Sequence, residues 1–325
     1  MKSKYFKSLF FFCLTLALSF SNSQALDTDK EKVRSLSHYI LGIYYEDLGE
    51  LDQAKEQYLK AIDKDPESSL LHLNLASVLI KKKELPSAVT ELKTSIRLDT
   101  EAVEPHAILA LVYAAQNDEQ SATQEYTLAL KNAAKLEPKN IEIYKSLGAV
   151  YLQQKKLKEA ESAFKLVAGM DPADAQVHLL LASVYFDLKN YQAVEKELKT
   201  ALRLKPDYHE ALNFLGYFYL EQNKNINQAG RLISKALKLD PENGAYIDSW
   251  GWYYFKKGRF KEALKELEKA ASLMSDPEIY DHLGEVFLKL GNRESAKINW
   301  EKSLKLNPAQ EKVKAKLLKL TNNGK

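Results

Sequence analysis

A chain of 325 residues with 47 Lys and Arg against 44 Asp and Glu carries a formal charge of +3, and its charges are interspersed rather than blocked. Such near-neutrality gives no electrostatic footing for nucleic acid. The one cysteine, Cys13, excludes an internal disulfide or a cysteine metal cluster, so packing has to stabilise the fold.

The first 25 residues combine a basic start (Lys2, Lys4, Lys7), an uncharged apolar run from Leu9 to Phe20, and a polar stretch from Ser21 to Gln24. That order is the pattern of a secretory signal with cleavage after Ala25, which sends the chain to the periplasm or the exterior. Retention as an anchor, which needs about 20 apolar residues, stays open. Cys13 follows Phe10, Phe11 and Phe12, whereas lipidation signals place small residues there. Cleavage removes three lysines and the only cysteine, which leaves the mature chain formally neutral. No later apolar run approaches membrane length, and residues 26–34 read as a short linker.

From Ser35 onward one pattern recurs about every 34 residues. Leu41-Gly42 and Tyr45 are followed by Ala54, Tyr58, Ala61 and Pro66; Leu75-Ala76 and Leu79 by Ala88, Leu92 and Ser95; Leu109-Ala110 and Tyr113 by Ala122, Tyr126 and Ala129. Leu147-Gly148 and Tyr151 lead to Ala160, Phe164 and Pro172, and Leu181-Ala182 and Tyr185 to Ala193, Leu198, Ala201 and Pro206. The last three copies open on Leu215-Gly216, Trp250-Gly251 and Leu283-Gly284. Eight units follow: residues 35–68, 69–102, 103–140, 141–174, 175–208, 209–243, 244–276 and 277–310.

Within each unit the apolar residues fall at three- and four-residue spacing, which predicts two amphipathic helices joined by a short turn. Gly or Ala after the large residue removes bulk where the two helices approach, and the proline closes the second helix. Unit three is longer by close to one helical turn, which keeps its packing face. Unit six gains a residue near Lys224-Asn225, and unit seven has Ser275 where the proline is expected, with Pro277 two residues later. Residues 311–325, with Val313, Leu317 and Leu320 on one side, read as a capping helix and tail.

A large-small pair, an aromatic three residues on, alanines around a large residue and a closing proline resemble the tetratricopeptide-repeat signature over residues 35–310. That resemblance implies an all-α, right-handed superhelix that acts by protein binding. The stretches NFLGYFYLEQ, GAYIDSWGWYYFKKGRFKEAL and DHLGEVFLKLGNRESAKINWEKSL also resemble uncharacterised bacterial envelope proteins of this repeat class.

Candidate chemistry is sparse. His38, His72, His106 and His178 share the fourth position of their units, where other units carry Tyr144, Leu212, Ile247 and Tyr280, so they read as a packing slot and not as metal ligands. No phosphate-binding glycine loop, HExxH or GxSxG motif occurs, so neither enzyme activity nor a cofactor nor a metal is expected. In this family the first helix of each unit lines the concave face. In the early units that face includes Tyr39, Ile43, Leu73, Ile80, Leu111, Leu152, Leu179 and Phe186.

The last three units supply a polar ladder beside an aromatic shelf: Asn213, Tyr217 and Leu220, then Asp248, Trp252 and Phe255, then Asp281 and Glu285. Asn and Asp along a groove bond an extended peptide while aromatic rings bury its side chains, and the acids, with Glu278, favour a basic segment. Whether Trp252 lines the groove or packs between repeats stays open. On the groove reading, Trp252→Ala with Asp248→Ala abolishes partner capture and leaves melting unchanged. The chaperone-type carboxylate clamp of this family is not matched, because Tyr39 and Ile43 stand at its Lys and Asn positions.

The expected function is therefore a non-catalytic scaffold in the bacterial cell envelope that holds a protein or peptide segment in the groove. A self-assembling structural protein, as a homo-oligomer, and an accessory subunit of an envelope enzyme or secretion complex are the alternatives.

Overall fold

The computed structural model describes residues 30–322; residues 1–25, read above as an export signal, residues 26–29 of the expected linker and residues 323–325 lie outside the described residues, while residues 30–34 of that linker are already helical. Every regular element among the described residues is an α-helix. The chain forms two compact units, one up to Val150 and one from Tyr151 onward.

The first unit holds α1 (residues 30–47), α2 (Leu51–Lys64), α3 (Ser69–Lys81), α4 (Leu85–Leu98), α5 (Glu104–Ala115), α6 (Glu119–Leu136) and most of α7 (Ile141–Gln153). The second holds α8 (Leu157–Met170), α9 (Ala175–Asp187), α10 (Tyr191–Leu204), α11 (His209–Glu221), α12 (Ile226–Leu239), α13 (Gly244–Lys256), α14 (Phe260–Leu273), α15 (Pro277–Lys289), α16 (Arg293–Leu306) and α17 (Glu311–Asn322). Helices pair as α3 with α4, α5 with α6, α9 with α10, α11 with α12, α13 with α14 and α15 with α16, each pair resting on the next within its unit. α6 runs to 18 residues where the other second helices have 14, the one-turn extension read from the sequence.

The small residues sit where two helices touch. A Cβ on Gly216 would stand 2.6 Å from Cγ1 of Ile233 and 3.1 Å from the Ala229 carbonyl, and one on Gly251 would stand 2.7 Å from Cγ of Leu267. Ala54, Ala88, Ala160, Ala229, Ala263 and Ala296 have no exposed surface. In the fifth unit the sequence pattern put Ala193 in this slot, but Val194 is the fully buried residue there. It stands 34 positions after Ala160, so the helical register and not the residue type decides.

The turn inside each pair ends on one residue with positive φ: Gly49, Lys83, Asn117, Lys155, Lys189, Asn223, Gly258 and Gly291. The next amide reaches back to the carbonyl of the conserved-spacing large residue, as in Asn190 N–H to Tyr185 O at 2.9 Å and Arg259 N–H to Tyr254 O at 2.9 Å. The extra residue of unit six is absorbed here by a second left-handed residue, Asn225 at φ 49°. Lys83, Lys155 and Lys189 occupy a conformation in which a Cβ crowds the following carbonyl.

Lys189→Gly is expected to raise the urea midpoint by the equivalent of about 1 kcal/mol, and Gly216→Ala to lower it by about 1–3 kcal/mol. Both should leave the denaturant slope unchanged, as measured by far-UV circular dichroism.

Candidate functional site

Three first helices of the second unit, α11, α13 and α15, with the capping helix α17 after them, gather the polar and aromatic side chains singled out above. α13 touches both α11 and α15 directly. Caps fix where the helices begin: Asn243 Oδ1 accepts from Ala245 N–H at 3.1 Å, and Asp276 Oδ1 accepts from Glu278 N–H at 2.7 Å, with Pro277 at the first turn of α15. The late proline of unit seven thus starts a helix instead of closing one.

Two cavities lie along these helices. The smaller, about 180 Å³, is walled by Asn213, Phe214, Tyr217, Asp248, Ser249 and Met274 among others. The larger, about 560 Å³, is walled by Glu221, Trp252, Asp281, His282 and the start of α17. Tyr217, Asp276 and Glu278 line both, so the two spaces form one trough divided by the Tyr217 side chain, whose hydroxyl donates to the Glu278 carboxylate.

His282 is the residue around which the wall is built. Its buried Nδ1 lies 2.9 Å from Oδ1 of Asp248, and the Trp252 ring stacks on its imidazole at 4.0 Å between centroids and 14° between planes. The indole Nε1–H donates to Glu221 Oε1 at 2.9 Å, so Trp252 of α13 links α11 to α15. Burial by itself would lower the His282 pKa, but the carboxylates of Asp248, Glu278 and Asp281 outweigh it and raise it to about 9. The imidazolium then presents a cation to the Trp252 face.

Glu278 stands at the trough mouth with part of its surface in solvent, yet the protein around its carboxyl pushes its pKa upward, with the nearby His282 charge opposing. Burial, then Glu278, raises the Tyr217 hydroxyl well above the ordinary tyrosine range. Lys316 of α17 binds Asp281 at 2.7 and 2.9 Å and Glu285 at 2.8 Å, and those two carboxylates keep it charged against its burial. One acceptor has no donor: Oδ1 of Asn213 is enclosed and unpaired among the described residues.

The eight sequence-derived groove residues therefore separate. Asn213, Tyr217 and Asp248 wall the smaller cavity, and Tyr217, Trp252 and Asp281 the larger. Leu220 is fully enclosed in the core, and Phe255 stacks behind Trp252 at 4.4 Å without lining either space. Asp281 and Glu285 direct their charge to Lys316, because α17 packs back over α15.

Trp252 and Asp248 are only 7% and 5% exposed, so the expectation that both can be removed without affecting melting gives way. Truncating one partner of a buried, hydrogen-bonded ion pair costs about 3–5 kcal/mol. His282, Glu221 and Lys316 were not read from the sequence, although His282 lies 34 residues after Asp248 and Lys316 lies 35 after Asp281, the spacing of neighbouring repeats.

The histidine slot also changes meaning. His72 and His106 are buried as a packing slot should be, but each bonds an acid on the second helix: His72 to Glu91, His106 to Glu125 and His178 to Glu197, all at 2.6 Å, with His38 to Gln57 at 2.8 Å. All four bonds span 19 residues, a constant offset visible in the sequence. They are clasps within helix pairs.

With the fold and the trough in place, the chain is defined as a stack of tetratricopeptide-type helix pairs, and the family matches residues 39–103, 113–184, 179–244, 251–275 and 277–310. The chain belongs to the tetratricopeptide-repeat family. It is 36% identical over 88 residues to a TPR repeat-containing protein of Pseudomonas aeruginosa, covering 27% of this chain and 15% of that one. It is 31% identical over 122 residues to the type IV pilus assembly protein PilF of the same species, covering 36% of this chain and 47% of that one. The chain thus spans less than half the length of these curated relatives. Among solved structures, a tetratricopeptide repeat protein from Parabacteroides merdae superposes with a TM-score of 0.60 at 19% identity, covering 78% of this chain and 98% of that one. Repeats of this family mediate protein–protein interaction, and no catalytic family is matched.

Linkage through His282 has a definite sign. A histidine whose pKa is raised in the folded state contributes stability that is fully present below its unfolded value near 6.5 and is lost as pH rises through about 9. The groups facing it are Asp248 from α13, Glu278 and Asp281 from α15, and Tyr217 and Glu221 from α11. The denaturation midpoint is therefore expected to fall between pH of about 6.5 and about 9. Asp248→Asn should flatten that fall and lower stability at neutral pH, as read by urea titrations across the range.

Proposed function

We propose that the protein is a non-catalytic adaptor of the bacterial cell envelope that holds a basic segment of a partner protein in the trough along α11, α13, α15 and α17. The observation that carries this reading is the state of two carboxylates on the trough wall. Glu221 is bonded to the Trp252 indole and Glu278 to the Tyr217 hydroxyl, and neither is ion-paired among the described residues. Of the other acids of the wall, Asp248 is answered by His282, Asp281 by Lys316 and Glu311 by Lys314, while Asp276 caps α15 by accepting from Glu278 N–H.

A Lys or Arg side chain laid between Glu221 and Glu278 would gain two charge-assisted bonds beside aromatic surface. It would also return the raised Glu278 pKa toward the ordinary carboxylate range. An extended backbone beside it would offer an amide N–H to the unpaired oxygen of Asn213. The envelope location rests on the export-type N-terminal sequence and on the partial likeness to a type IV pilus assembly protein.

Photo-crosslinking from position 276 in the native envelope is expected to capture a partner through a Lys- or Arg-containing segment. A synthetic peptide of that segment should quench tryptophan fluorescence on titration. Glu278→Gln and Glu221→Gln, which keep the aromatic hydrogen bonds, should each weaken peptide binding about tenfold or more at low salt. Unchanged affinity in both variants, or capture through an acidic segment, would count against the trough as the binding site.

A further inference from the structure

Helix α1 is built to be covered on two opposite sides, and α2 covers one. On that side the Tyr39 and Tyr58 rings lie 6.1 Å apart, and a Cβ on Gly42 would fall 2.6 Å from Cε1 of Tyr58. On the other side stand Val33, Leu36, Ile40, Tyr44 and Leu48, exposed by 63%, 54%, 57%, 57% and 55%. Their three- and four-residue spacing places them in one stripe, about 22 Å long. One repeat further on, the position of Tyr44 is held by Val78, which α2 and its neighbours bury completely, while that of Leu36 is held by Leu70, which stays exposed. The cover that Val78 receives on α3, nothing among the described residues gives Tyr44 on α1.

We propose that the stripe is the contact with a second copy of this chain, the two α1 helices packing antiparallel about a two-fold axis at the level of Ile40 and Leu41. The charges around the stripe select this occupant and this direction. Exposed cations, Lys32 and Arg34, the latter already bonded to Glu31, stand at its start, and exposed acids, Asp47 and Glu50, at its end. Turning one helix against its copy brings Val33 over Leu48 and the Lys32 end of each over the Asp47 and Glu50 end of the other. A parallel pair would set like charge against like. A patch that complements itself in this way closes on two copies, as an isologous interface does. The proposal is independent of the trough, which lies on other helices.

Sedimentation of the protein as the cell exports it, its N-terminus read by mass spectrometry, should give a dimer. The double variant Ile40→Glu with Tyr44→Glu should sediment as a monomer with its helical signal intact. Lys32→Glu should weaken the dimer about tenfold, and adding Asp47→Lys should restore it, since the pair is only exchanged. Should the double variant misfold, Ile40→Cys in a Cys13→Ser background gives a second reading, because a two-fold axis beside residue 40 allows a disulfide between copies. A wild-type monomer at every concentration overturns the proposal, whether the chain's own retained N-terminal segment or an unrelated protein covers the stripe. So does a dimer indifferent to the double variant.

Discussion

The position of nearly every side chain described above follows from how closely the two helices of a pair approach. Gly42 against Tyr58, Gly216 against Ile233, Gly251 against Leu267 and Gly284 against Trp300 are one contact repeated, a backbone without Cβ receiving a large side chain from the second helix. Tyr58, Ile233, Leu267 and Trp300 have almost no exposed surface, so each contributes close to its full transfer free energy, on the order of 1.5–3 kcal/mol. A wider approach would leave gaps that lose the contact outright. The distance between paired helices is therefore fixed, and with it the rotation of the first helix, so that one of its sides repeatedly faces away from the partner.

That remaining side has to be filled, hydrated or used. In the second unit it carries charge at positions where successive first helices meet, and the electrostatics there are mostly closed internally. Asp248 and His282 answer one another at 8% and 5% side-chain exposure, and Lys316 answers Asp281 and Glu285. A buried ion pair adds little net stability, since desolvation offsets most of its attraction. What it does is hold α13 to α15 and α15 to α17 in one register, which keeps the aromatic wall of Trp252 and Tyr217 in place. Against this neutralised background Glu221, Glu278 and the unpaired Asn213 oxygen stand out as groups with bonding capacity left over.

The architecture was legible in the sequence because each repeat restates it: helix pairs, the small-residue contact, the longer α6 and the start of the cap all follow from spacing. Single residues were less legible where two registers compete. Ala193 and Val194 are adjacent, and only the helix rotation assigns the slot to the valine. Leu220 looked like a groove residue from its place in the pattern, but the last turn of α11 has rotated it into the core. The site was half visible: aromatic and acidic residues on the first helices could be named, while their partners could not, because a charge looks unspent until its neighbour in the next repeat is aligned beside it. Aligning residues 34 or 35 apart would have paired Asp248 with His282 and Asp281 with Lys316, and an offset of 19 would have turned the histidine slot into four clasps.

The two termini of the described chain obey the same packing rule with different outcomes. α17 covers the final pair: Val313 is 1% exposed beside Ala296 and Trp300, and the Arg293 guanidinium reaches the Leu320 carbonyl at 2.6 Å. The side of α17 turned to solvent carries Glu311, Lys312 and Lys319 beside one large apolar residue, Leu318, so the last helix largely closes its own end. α1 does the opposite, setting four large apolar side chains outward, with Leu48 just past its end, while its inner side is already committed to Tyr58. A helix apolar on both sides belongs in an interior. Since Lys32 and Asp47 flank that stripe with opposite signs at its two ends, the interior it fits is one that the chain completes with its own copy.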